Sequence, residues 1–340
     1  MKKKHFLSLF LLAPIVVFFA GPRPDPDLDV RLPQLPDYPG DLDDYLRQSE
    51  AAVSDLIPGT EKTIVWANPD ERARTPYSIV YLHGFSATRQ EVAPLCEVLG
   101  RRLGANVYYT RLAGHGHTTG TPLGNSTVND WLRDTAEAAE IGRMLGDKVI
   151  LVATSTGGTL STWLANQPSF NDRIVANVML SPNFAPKDRN ARVALWPWGK
   201  QIMRAAAGKL HSWEPTNEMQ ARYWTTAYPI EAIVEMMSLV DIVDEIDLTS
   251  VKLPTLLIYS ENDEVVSVEK MKEKFPQFGG SQNRIVALET TARSKSHVLA
   301  GDIIAPEMTP VVADVISDYL SSIGIEPALN ATQESAEQAN

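Results

Sequence analysis

A serine hydroxyl attacks a carbonyl at neutral pH only when a base within hydrogen-bond reach takes its proton and an acid holds that base in one tautomer. Ser155 lies where such a serine is expected, in Ala153-Thr154-Ser155-Thr156-Gly157-Gly158. An apolar run over 149–153 precedes it, and apolar positions at helical spacing follow from Thr159. Strand, tight turn and helix, with small residues two positions either side of the serine, describe a nucleophile elbow that thrusts the hydroxyl out above a sheet. Ala153 stands where glycine is usual and brings a Cβ into a crowded turn.

The base must come from the histidines His5, His83, His115, His117, His211 and His297. In sites of this build the acid and the histidine follow the serine in that order, each beyond the end of a strand. Only His211 and His297 follow Ser155, and His211 falls in a helical stretch with no strand before it. His297, beyond the last strand, is therefore the base. Asp263, four residues after a strand ending at Tyr259, is the acid, with Glu261 and Glu264 as alternatives. A second strand, glycine loop and helix occurs at His83-Gly84-Phe85-Ser86. Backbone N–H groups at such loops can point at an oxyanion, so Phe85 or Ser86 would supply one donor and Thr156 the other. Gly114-His115-Gly116-His117 has no carboxylate or third histidine at ligand spacing, so no metal site is expected.

These residues need a sheet to hold them. Strands are predicted over 62–67, 78–82, 106–112, 148–153, 175–180, 254–259 and 284–288, with helices over 41–56, 90–103, 127–145, 159–165 and 309–321. Between 188 and 247 the alternation lapses into a long helical stretch rich in Trp and Met, which reads as a cap over the sheet. Trp196, Trp198 and Trp224 of this cap, together with Ser86, are the candidates to line an apolar substrate pocket.

The 340 residues are 44% hydrophobic, enough for a packed core. A net charge of −11 disfavours phosphate backbones, so nucleic acid is not an expected partner. The one cysteine, Cys96, cannot form an intrachain disulfide and reads as a buried thiol. Residues 1–20 combine Lys2-Lys3-Lys4 with an apolar stretch of about fifteen residues, about 22 Å of helix against a hydrocarbon core of about 30 Å. This reads as an export signal, cleaved near Ala20, or retained as an anchor that brings the protein to a membrane; the destination is periplasmic or secreted. Residues 21–40 are a proline-rich linker, 41–325 the catalytic domain, and 326–340 a polar, disordered tail.

Taken together, Leu82-His83-Gly84-Phe85, Gly114-His115-Gly116, the elbow, 260–266 and Ser296-His297 resemble the α/β-hydrolase superfamily. The resemblance is to its branch of serine carboxylesterases, monoacylglycerol lipases and lysophospholipases. It covers about residues 63–320. The resemblance implies an α/β fold with a mostly parallel eight-stranded sheet flanked by helices and an inserted helical cap, an acyl-enzyme mechanism and no cofactor. It would make Ser155 the nucleophile, Asp263 the orienting acid and His297 the base. The expected substrate is a small ester, of short or medium acyl chain, or a monoacylglycerol-like lipid. An acyltransferase, an aminopeptidase of the same fold and a non-catalytic lipid-binding homologue are the alternatives. The sequence fixes no oligomeric state.

Overall fold

A computed structural model describes residues 15–290 and 295–326. Residues 1–14 of the leader and 327–340 of the tail lie outside the described residues. The strands are β1 (Thr63–Val65), β2 (Thr75–Leu82), β3 (Asn106–Tyr109), β4 (Gly146–Thr154), β5 (Ile174–Leu180), β6 (Leu210–Ser212), β7 (Ala227–Pro229), β8 (Thr255–Tyr259) and β9 (Arg284–Ala287). Seven of them form one sheet in the order β1-β3-β2-β4-β5-β8-β9, parallel throughout except for β1 against β3.

The apolar run of β4 is continuous because both of its faces are covered, and successive side chains point to opposite sides. Ile150 and Val152 join Ile79, Tyr81, Val178 and Ile258 under the helices Leu95–Leu103 and Thr309–Ser322. Val149, Leu151 and Ala153 join Val80, Leu82 and Met179 under the helices Val128–Leu145 and Thr156–Ala165. Thr127 caps the first of these two helices in a reciprocal capping box with Asp130. A strand so enclosed is rigid, and its end is a fixed point from which a loop can present a side chain.

Three expectations are corrected here. Among the described residues the sheet has seven strands, not the eight that the resemblance implies. The chain ahead of β1 is proline-rich, and proline has no N–H with which to extend a ladder. The cap is not purely helical: β6 and β7 pair antiparallel within it, Leu210 opposite Pro229, between the helices Gly199–Ala207 and Glu231–Asp244. Three-residue strands carry too little alternation to be seen in sequence. The helix expected over 90–103 is also interrupted. A short 3-10 turn at Arg89–Glu91 precedes Pro94, and the α-helix starts at Leu95.

The proline-rich segment runs extended but does not hang free. Trp198 N–H donates to Pro22 O at 2.9 Å, and Asn129 Nδ2 donates to Asp27 O at 2.7 Å and Asp29 O at 3.2 Å. Among the described residues no helix is long and apolar enough to cross a membrane.

Candidate active site

Ser155 follows the last residue of β4 and has φ 54° and ψ −118°. A serine held in the left-handed region costs on the order of 1–3 kcal/mol, so the surroundings must impose it. They do so through the backbone. Ser155 N–H donates to Leu180 O at 2.9 Å, while Ser155 O accepts from Gly158 N–H at 2.9 Å and Asn183 N–H at 3.0 Å. A Cβ on Gly157 would stand 2.0 Å from Leu82 O, so only glycine lets the following helix tuck against the end of β2. Ala153, the departure from the usual pattern, is fully buried in the core face of β4.

The loops that carry Asp263 and His297 leave the ends of β8 and β9. Asp263 is buried, and its Oδ1 accepts from the N–H groups of Val265 (2.8 Å) and Val266 (2.9 Å). Its Oδ2 lies 2.8 Å from His297 Nδ1. An ionised carboxylate only accepts, so Nδ1 carries the proton and Nε2 presents a lone pair. The alternatives are engaged elsewhere: the Glu261 carboxylate takes Lys272 and Tyr259, and Glu264 stands exposed. Lys295 and Ser296, at φ 49° and 53°, turn the chain just before His297.

On the other side of the elbow, Ala87 N–H donates to Gly84 O at 3.2 Å, closing a turn over Phe85 and Ser86, with Ser86 at φ 61°. Thr156 opens a helix, so its N–H has no acceptor one turn back. Among the described residues the N–H groups of Phe85 and Thr156 donate to no protein acceptor. The cap reaches this loop directly, Thr225 N–H donating to Ser86 O at 2.7 Å. Phe85 packs edge-on against Tyr228 of β7, centroids 5.2 Å apart.

His83 and His115 are buried, 4.9 Å apart between ring centroids. His83 Nε2 accepts from Leu112 N–H at 3.0 Å, and burial pushes its pKa down to about 4. Burial likewise holds His115 neutral. These rings join the loops after β2 and β3. Asp134 supports the same place, accepting from Ala113 N–H at 2.6 Å and paired with Lys62.

The cap tryptophans separate. Trp224 is buried with Ala87, Val298 and Met308, beside the residue that follows His297. The substrate-lining expectation for Trp196 and Trp198 is corrected. Trp198 directs its indole Nε1 to Val17 O at 3.0 Å and packs on Gly21, and Trp196 stands 51% exposed. The apolar composition of a cap does not say which face a given residue occupies.

Sequence reasoning missed Glu91. It is 2% exposed, and its Oε1 accepts from Gly84 N–H at 2.5 Å and from the Tyr81 hydroxyl at 2.7 Å. Burial, the largest influence, pushes its pKa up to about 7. The signal available was a glutamate on the inward side of an amphipathic stretch, which a helical reading treats as surface. Asn183 was missed too: its Nδ2 reaches Met236 Sδ at 3.1 Å, joining the cap to the residue that holds Ser155 O.

The comparisons with known proteins follow the same outline. Residues 74–291 match the family Hydrolase_4, described as serine aminopeptidase, S33. Over 99 residues the chain is 29% identical to a thermostable monoacylglycerol lipase of Bacillus sp. (strain H-257), a match spanning 29% of this chain and 39% of that relative's length. Among solved structures, one reported for LipS and LipT, two metagenome-derived lipolytic enzymes, superposes with a TM-score of 0.64 at 20% identity. It covers 78% of this chain and 99% of its own. A monoacylglycerol lipase of Paleococcus ferrophilus gives 0.55 at 17% identity, over 78% of this chain and all of its own.

Proposed function

The chain belongs to the Hydrolase_4 (serine aminopeptidase, S33) family of α/β-hydrolases, and from that premise we propose that it is a serine hydrolase of carboxylic esters. The observation that carries the reading is the 2.8 Å contact between His297 Nδ1 and the buried Asp263 carboxylate, in a chain that also holds Ser155 on a strained elbow. His297 Nε2 takes the Ser155 proton as Oγ attacks the ester carbonyl. The N–H groups of Phe85 and Thr156 receive the oxyanion. Collapse expels the alcohol, which takes the proton from His297, and leaves an acyl-enzyme on Ser155. Water, deprotonated by the same nitrogen, then releases the acid.

The substrate class we infer is a single-chain acyl ester, short or medium, extending to monoacylglycerol-like lipids. Phe85, Tyr228, Trp224 and Met236 supply apolar surface where the cap meets the oxyanion loop and the elbow. The printed names of the relatives support the same direction. The basic and apolar leader further supports export to the periplasm or beyond, either released or held at a membrane. The test is turnover of a panel of nitrophenyl esters, monoacylglycerols and aminoacyl amides, with labelling by a fluorophosphonate. Ester cleavage together with labelling of Ser155 is expected. Turnover of the amides alone would replace the ester reading with an aminopeptidase, and an unlabelled, inert protein would sink both.

A further inference from the structure

A lone carboxylate is costly to bury, and Glu91 has no Lys or Arg partner among the described residues. What it touches is the reaction site's framework. Gly84 N–H donates to its Oε1, and a Cβ built on Gly84 would lie 3.0 Å from its Oε2 and 3.2 Å from Ser155 Cβ. One glycine is thus the whole thickness of protein between this carboxylate and the nucleophile's residue. The Tyr81 hydroxyl lies 2.7 Å from Oε1 and 2.9 Å from Thr154 Oγ1. With one proton it donates to the carboxylate and accepts from the threonine that precedes Ser155. The chain after His297 packs on the same turn: Asp302 N–H donates to Ala93 O at 2.9 Å, and Gly301 approaches Glu91 O too closely to admit a Cβ.

We propose that Glu91 is a positioning residue of this site, fixing the oxyanion loop through Gly84 and supplying a second negative charge, beside that of Asp263, toward His297. The proposal rests on the hydrolase reading above. Ionised, Glu91 binds the Gly84 N–H in a charge-assisted hydrogen bond and favours the imidazolium that forms as Ser155 attacks. Protonated, it does neither as well. Glu91 ionises at about 7, and the charge of His297 pulls against the burial that raises it. The other groups facing it do not titrate nearby: burial pushes Tyr81 and, behind it, Cys96 well up. Arg89 of the same turn directs its guanidinium to Gly59 O and the Tyr109 ring. Activity therefore requires His297 neutral to take the Ser155 proton and gains further as Glu91 ionises with rising pH.

The experiment is the pH profile of kcat/KM on a nitrophenyl ester for wild type, Glu91→Gln and Tyr81→Phe, with thermal melts to confirm folding. Wild type should show an acid limb steeper than one proton. Glu91→Gln keeps an acceptor for Gly84 but cannot ionise, so its limb should fall to a slope of one, with kcat down about tenfold and KM within about twofold. Tyr81→Phe takes one hydrogen bond from the carboxylate, so its acid limb should move to higher pH; this arm stands if Glu91→Gln does not fold. A folded Glu91→Gln with wild-type kcat and slope overturns the proposal while leaving the hydrolase reading intact. A higher kcat does so too, by showing that the charge opposes the oxyanion. An unmoved limb in folded Tyr81→Phe also overturns it. A wild type that neither hydrolyses the ester nor takes a fluorophosphonate overturns the hydrolase reading and, with it, this one.

Discussion

Removing one oxygen at Ser155 should take away the reaction and leave the fold, because the hydroxyl makes no hydrogen bond that the packing of the elbow requires. Ser155→Ala is expected to lose on the order of 10³-fold or more in kcat and all fluorophosphonate labelling, with an unchanged melting temperature. Among the buried titratable groups that make stability depend on pH, Glu91 and His83 act with opposite sign. The folded-state pKa of Glu91, about 7 against an ordinary 4.5, means that the native protein holds this proton more tightly than the unfolded chain. Its contribution therefore falls as pH rises from 4.5 through 7. His83, about 4 against 6.5, is the reverse: the unfolded chain takes the proton first, and stability is lost as pH falls from 6.5 toward 4. In the window they share the two oppose each other. Glu91→Gln deletes one, so its stability should rise more steeply with pH than that of wild type, by on the order of 3 kcal/mol across the whole Glu91 range. Urea midpoints of both proteins at pH 5 and pH 7 measure the difference, and parallel slopes would refute it.

Loops carry the reacting groups, and neighbouring elements keep those loops still. The cap contributes more than a cover: Thr225 binds Ser86 O, and Trp224 packs against Val298, next to His297. Trp224→Ala should cost about 3 kcal/mol of stability and lower kcat, since the cavity opens under the His297 loop. Denaturant melts and turnover at saturating ester check both effects, and a rise in KM alone would indicate a pocket role instead. Gly157→Ala should be worse at the elbow itself. Its methyl has nowhere to go but into Leu82 O, so the start of the helix Thr156–Ala165 must shift and activity should drop by about 10²-fold.

Seen whole, the molecule ties its leader side to its cap. Trp198 holds Val17 and Pro22, and Asn129 holds Asp27 and Asp29, so the segment beyond Ala20 runs along the body instead of spacing it away. If cleavage occurs near Ala20, the Trp198 bond to Val17 O and the Gly21 bond to Phe18 O are lost among the described residues, and a chain beginning at Gly21 should stay within about 1–2 kcal/mol of the full-length stability. Cell fractionation with N-terminal sequencing tests the address. A mature terminus near Gly21 outside the cytoplasm is expected, and an intact leader on a soluble cytoplasmic protein would refute export.

The strands were legible because a strand buried on both faces must be apolar throughout, as 149–153 is, and helices because one face must be. The elbow was legible because crowding admits only small residues around Ser155. Local patterns of this kind are written into neighbouring residues. The choice among Asp263, Glu261 and Glu264 was not, since all three share one turn. Only the tertiary structure brings Asp263 Oδ2 to His297 Nδ1 and leaves Glu261 with Lys272. The cap's inward face and the burial of Glu91 were equally out of reach. Each depends on contacts between residues far apart in the chain: Trp198 with Val17, Trp224 with Val298, Gly301 with the turn at Glu91. A residue's type and spacing set which periodic element it joins. Whether a carboxylate there meets water or a catalytic loop is decided by what folds over it.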